Sequence, residues 1–139
     1  MPHRPHKDMF GKRAVIITQC LGAGAKSTAK DIKQSLSWWG ISKIGVFNGS
    51  LMSDIIWDKL PNKKRKKLIK KINKLARKFK KINYSKPAHT KLIVKIKFAF
   101  CRMIQKKVHK NGGGLDSDYW LNNGWLGKKR PWKELKHKR

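Results

Sequence analysis

One stretch, Ala14-Val15-Ile16-Ile17-Thr18-Gln19-Cys20-Leu21-Gly22-Ala23-Gly24-Ala25-Lys26-Ser27-Thr28, constrains the fold more than any other part of the chain. Its apolar β-branched run predicts a strand buried on both faces. A small-residue loop with two glycines follows, and Ser27-Thr28 then opens a helical pattern. In open α/β sheets ligands bind at loops of this kind. The loop sits at the carboxyl end of a strand, where backbone N–H groups and a helix N-terminus can approach an anionic or planar group.

The loop nearly matches two phosphate-binding patterns and satisfies neither. A P-loop needs Gly directly before Lys-Ser/Thr and another Gly five residues earlier. Here Ala25 precedes Lys26, and Cys20 holds the earlier position. The dinucleotide fingerprint needs Gly-x-Gly-x-x-Gly/Ala. Gly22-Ala23-Gly24 begins it, but Ser27 stands where the third glycine belongs. A strand-to-helix turn also uses glycine with no ligand present, and spacing alone leaves both readings open.

The 139 residues make at most one ordinary domain. Two distant cysteines, Cys20 and Cys101, form no CxxC pair and no disulfide framework, which fits a reducing cytosol. The start Met1-Pro2-His3-Arg4-Pro5-His6 is polar and proline-broken, unlike a signal peptide. Leu92 to Ile104 is interrupted by Lys95, Lys97 and Arg102, so it is no spanning helix, and a cytoplasmic protein is expected. The five histidines are scattered without thiolate or carboxylate company, so no metal site is expected. The net charge of +29 invites a nucleic-acid reading. Lysine far outnumbers arginine, however, and no aromatics alternate with Lys63-Lys64-Arg65-Lys66-Lys67. A solvated lysine face, with salt-sensitive non-specific polyanion binding as a side effect, is the plainer expectation.

Along the chain, Ala14 to Thr18 reads as the first strand. Thr28 and Asp31 have the spacing of a capping box, and Ala29, Ile32, Leu36 and Trp39 share one helical face. Gly40 is a natural left-handed stop. Ile41 to Phe47 predicts a second strand, weakened by Gly45 and ended by Asn48-Gly49-Ser50. Strand, helix, strand predicts a parallel βαβ unit. Pro61 then starts a helix whose stripe is Leu68, Ile72, Leu75, Phe79 and Ile82, the other faces being lysine and arginine. Another helix is expected over Ala88–His109, with Leu92, Ile96, Ala99, Phe100, Met103 and Ile104 inward. Its basic flank also suits a membrane surface or a dimer contact. Asn111-Gly112-Gly113-Gly114 reads as a hinge, and Trp120, Trp125 and Trp132 are too many large aromatics for a disordered tail. Residues 1–83 are thus read as one part, and residues 84–139 as a helix and Trp-rich tail packing back on it.

Three segments carry a resemblance. They are His3-Arg4-Pro5-His6-Lys7-Asp8-Met9-Phe10-Gly11-Lys12-Arg13-Ala14-Val15, Gly22-Ala23-Gly24-Ala25-Lys26-Ser27-Thr28, and Tyr119-Trp120-Leu121-Asn122-Asn123-Gly124-Trp125-Leu126-Gly127-Lys128-Lys129-Arg130-Pro131-Trp132. With Ser35-Leu36-Ser37-Trp38-Trp39-Gly40, they resemble the C-terminal half of flavodoxin-like, FMN-binding NAD(P)H oxidoreductases. The resemblance implies a partial flavodoxin-like α/β fold lacking the first three strands. It implies FMN as cofactor and NAD(P)H as co-substrate. It places Thr18, Gln19, Cys20, Leu21, Gly22, Ala23 and Gly24 against the flavin ring and names no catalytic side chain. The family's phosphate-cradling loop has no counterpart before Met1, so the chain reads as N-terminally truncated and inactive alone.

Physical stability leads the same way. Two parallel strands make a poorly covered sheet, and the first strand should present an unpaired apolar edge. A homo-oligomer, or a partner supplying the missing half, is therefore expected. A basic protein docking on nucleic acid or an anionic membrane is the alternative reading, and an inert remnant the third.

Overall fold

Strand β1 (Arg13–Cys20) and strand β2 (Lys43–Ser50) lie side by side as a two-stranded parallel sheet joined through helix α1 (Ala25–Trp38). The computed structural model describes residues 3–50 and 57–135. Helices α2 (Asn62–Lys80), α3 (Leu92–Lys110), α4 (Leu115–Asn122) and the short α5 (Pro131–Glu134) complete the α/β chain, with 3-10 turns at Lys7–Gly11 and Trp57–Lys59. The chain divides into two units: Ala14–Gln34 with Ile44–Tyr84, and Met1–Arg13 with Ser35–Lys43 and Ser85–Arg139.

In the sheet-bearing unit, β1 has one covered and one open side. Ile16 and Thr18 are buried, whereas Val15 is 45% and Ile17 73% exposed. The expectation of burial on both faces is corrected, because successive side chains alternate and two strands with few helices cover only one side. The capping box is corrected as well. Helix α1 begins at Ala25, so Thr28 lies inside it, and the Gly24 carbonyl accepts from Thr28 N at 3.0 Å and Ser27 Oγ at 2.8 Å. Gly24, at φ +105°, turns the chain straight into the helix. On the expected face of α1 only Ala29 is buried; Ile32 is exposed and Leu36 half-buried.

Strand β2 starts after Ile41 and Ser42 and runs through Asn48-Gly49 to Ser50 rather than ending there. The Ser50 hydroxyl donates to the Gly22 carbonyl at 2.6 Å, which holds the end of β2 extended beside the loop after β1. Gly45 is buried for a steric reason. A Cβ there would lie 2.6 Å from Phe79 and 2.7 Å from Leu75, so α2 approaches β2 where only glycine leaves room. Of the expected α2 stripe, Leu68 is buried, Leu75 and Phe79 are half-buried, Ile72 is exposed, and Ile82 lies beyond the helix end. The Arg65 guanidinium donates to the carbonyl of Asp58 and, at 3.5 Å, to that of Leu60, tying the helix start to the preceding turn.

The other unit is organised by aromatics. Phe10, Val94, Phe98, Cys101, Trp120, Trp125 and Leu126 form a buried cluster, flanked by Trp38, Tyr119, Trp132 and Leu135. Phe98 stacks on Trp120 at 4.8 Å between centroids and meets Phe10 edge-on at 5.8 Å. The Trp-rich tail is thus folded, and α4 is stitched to the amino-terminal segment. Trp120 Nε1 donates to the His3 carbonyl at 2.6 Å, Tyr119 OH donates to that of Pro5 at 3.0 Å, and Asp116 pairs with His3 and Arg4. Gly40, at φ +104°, ends α1 as expected and also lies flat against the Phe10 ring.

Helix α3 corrects two expectations. It begins at Leu92, not Ala88, because the preceding backbone is engaged elsewhere. Ala88 N donates to the Gly11 carbonyl at 2.7 Å, Thr90 Oγ1 to that of Phe10 at 3.3 Å, and Lys91 N to Ser42 Oγ at 3.0 Å. The inward face is also the opposite one. Val94, Phe98, Cys101 and Gln105 are buried, while Leu92, Ile96, Ala99, Phe100, Met103 and Ile104 are exposed. The cluster around Trp120 and Trp125 accepts the large flat ring of Phe98, and that choice of ring fixes the rotation of the whole helix.

Candidate functional site

The loop leaving β1 is held from beneath and open above. Thr18, at the strand end, is buried, and its hydroxyl donates to the Ala25 carbonyl at 2.9 Å, bracing strand end against helix start. Cys20 is half-buried, and its Sγ lies 3.3 Å from the Gly22 carbonyl and 3.9 Å from that of Gly49. With the Ser50–Gly22 hydrogen bond, these contacts bind the loop after β1 to the end of β2. The fold therefore brings two strand ends together at one rim, and the first turn of α1 rises from it.

The remaining residues face outward. Gln19, Leu21, Gly22, Ala23 and Gly24 are exposed, and a Cβ added at Gly22 or Gly24 would meet nothing within 4 Å. At Gly24 the positive φ requires glycine, while at Gly22 the backbone is simply open. The outer loop therefore presents exposed backbone at Gly22 and Gly24, with the side chains of Gln19, Leu21 and Ala23 beside it. Thr18 and Cys20 fit as internal braces, since their polar atoms are already engaged within the rim.

Sequence reasoning missed two features. Ser50 shares the rim with the loop from the other strand, and its place in a small-residue run gave no sign of that role. A groove of about 450 Å3 also opens between β2 and α2, lined by Ile44 to Asn48 with Lys71, Lys74, Leu75 and Lys78. Its lysines belong to the stripe-flanking face of α2, and the Gly45 approach that shapes it was invisible to composition. Among the described residues no group of three His, Cys, Asp or Glu side chains converges on a point, and no helix is long and apolar enough to cross a membrane. No protein-family model, curated protein or solved structure matches this chain.

Proposed function

We propose that the chain is the C-terminal part of a flavodoxin-like, FMN-dependent NAD(P)H oxidoreductase, in which the loop Gln19–Gly24 lies against the flavin ring. FMN, when bound, supplies hydride transfer between the nicotinamide and an acceptor. This chain's share is positioning, with an open backbone ledge held by Thr18, Cys20 and Ser50. The observation that carries the reading is the ledge itself. It stands at the carboxyl end of a parallel strand, where open α/β sheets bind their ligands, and at Gly22 and Gly24 no side chain stands over the backbone. Half of an FMN site should bind weakly, because the ring is gripped on one side and the phosphate-cradling loop belongs to the remaining strands of the fold.

Amide chemical shifts during titration with FMN, and in parallel with riboflavin, test this. Both ligands should move the resonances of Gln19–Gly24 and Ser50, with affinity weaker than micromolar and no turnover of NAD(P)H. Gly22→Val, at a position with open space and no left-handed backbone, should diminish those shifts while the denaturant midpoint stays close to that of the parent. FMN shifts confined to the lysines of α2, with none from riboflavin, would instead mean adsorption of the phosphate by a polycation, and would remove the loop from the site.

A further inference from the structure

Helix α3 is apolar on two opposite sides, and only one of them is used. Val94, Phe98, Cys101 and Gln105 enter the aromatic core. At 100° per residue, Leu92, Ile93, Ile96, Phe100, Met103 and Ile104 share an arc roughly 120° wide on the far side. All of them are exposed, Leu92 at 70%, Met103 at 61% and Phe100 at 52%. Six large apolar side chains in one exposed stripe form a patch of the kind that marks an interaction surface.

The charges around the stripe select its occupant. Lys95, Arg102 and Lys106 line one flank, and Lys107 and Lys110 stand at its carboxyl-terminal end. No acidic residue occurs anywhere between Asp58 and Asp116. A second copy of the chain laid on this face would bring lysines against lysines with no carboxylate to receive them. A nucleic acid would satisfy the lysines but leave Leu92, Ile96, Phe100 and Met103 with nothing to bury them. A surface that is anionic at its boundary and apolar just below satisfies both sets at once.

We propose that the outer face of α3 docks in the plane of an anionic phospholipid bilayer. Leu92, Ile96, Phe100 and Met103 enter the acyl boundary, and the flanking lysines reach back to the headgroups. The stripe is too charged at its edges to cross the bilayer, so the helix lies on the surface. The core face keeps its grip on Phe98, so docking needs no unfolding.

Co-sedimentation of the full chain with vesicles of phosphatidylcholine alone or mixed with phosphatidylserine tests the proposal. The chain should partition onto the mixed vesicles and retain a bound fraction at high salt, where lysine adsorption alone is screened. Ile96→Ser with Phe100→Ser should weaken partitioning about tenfold or more and abolish the salt-resistant fraction. Unchanged near-ultraviolet dichroism would show the aromatic core intact. Lys66→Gln with Lys67→Gln and Lys70→Gln in α2 should reduce low-salt binding only. Three results would overturn the proposal. One is no binding to either vesicle, and another is equal binding by the parent and the Ile96/Phe100 variant. The third is a parent that self-associates without lipid through this face, shown by sedimentation velocity and lost in the same variant.

Discussion

Cys101 and Cys20 show how surroundings divide one residue type into two chemistries. Cys101 is buried beside Val94 and Phe98 in the aromatic cluster, and burial pushes its thiol above the usual range. Cys20 is half-buried at the rim of the β1 loop. Alkylation needs the thiolate and access to it, so native iodoacetamide should label Cys20 at least about a hundredfold faster than Cys101, as peptide mass spectrometry would measure. The sign of the pH effect follows from the same burial. Above the ordinary thiol pKa the unfolded chain loses this proton while the native chain keeps it. Native stability from this group is therefore intact at neutral pH and falls as pH rises into the alkaline range. Lys97 contributes the opposite slope. Its ammonium lies 4.4 Å from the Trp38 ring centroid and donates to Ser37 Oγ at 2.9 Å, and burial lowers its pKa, so stability from this group rises as pH climbs through the lowered native value toward the ordinary lysine range. Denaturant midpoints should fall less between neutral pH and the thiol range in Cys101→Ala than in the parent. An equal fall in both would place the alkaline sensitivity elsewhere.

At the scale of elements, the clearest lesson lies in what a hydrophobic period can and cannot say. The strand, the glycine loop and the return to a second strand were legible because β-branched runs, Gly24 and Gly40 each carry a local backbone preference. The rotation of α3 was not legible. Two apolar sets share the helical period, and the set that is buried includes Gln105, whose polarity disguises it. What decided between them was a distant event, the nesting of Phe98 among Trp120 and Trp125. The candidate loop was legible as a backbone feature. The Thr18 and Ser50 hydroxyls that hold it were not, because their partners, Ala25 and Gly22, are fixed only by the folded strand pair. Gly45 reads in sequence as a weak point of β2 and is in fact its point of closest packing. Gly45→Ala should destabilise by about 1–3 kcal/mol, since the new methyl forces Phe79 and Leu75 to shift. Gly22→Ala, with open space at the Cβ, should change stability by no more than about 0.5 kcal/mol. Urea titration of the two variants measures the contrast, and equal losses would show that α2 does not press on β2.

Across the whole molecule, charge is the property that sets this chain apart. Against 36 lysines and arginines stand 7 acidic residues, so most cations have no carboxylate within reach. Of the few carboxylates, Asp116 serves His3 and Arg4, and Asp8 lies 3.9 Å from His6, the partners all near the amino terminus. Helix α2 carries the reverse arrangement. Lys63 and Lys67, Lys66 and Lys70, Lys67 and Lys71, Lys70 and Lys74, and Lys74 and Lys78 each stand four residues apart. Such like-charged pairs destabilise a helix by roughly 0.2–0.5 kcal/mol apiece. The fold is thus held by the aromatic cluster, β-sheet contacts and glycine-permitted packing, against a net electrostatic repulsion. Screening should consequently stabilise the chain. Raising sodium chloride from low to near-molar concentration should increase Tm by roughly 4–10 °C, equivalent to about 1–2 kcal/mol. Chloride is the right probe, because sulfate would add a general strengthening of apolar burial. A polyanion such as heparin should reach the same gain at far lower concentration, since it binds the folded cationic surface as well as screening it. A Tm that falls with sodium chloride would mean that attractive ion pairs hold the native state, and the repulsive account of α2 would have to be abandoned.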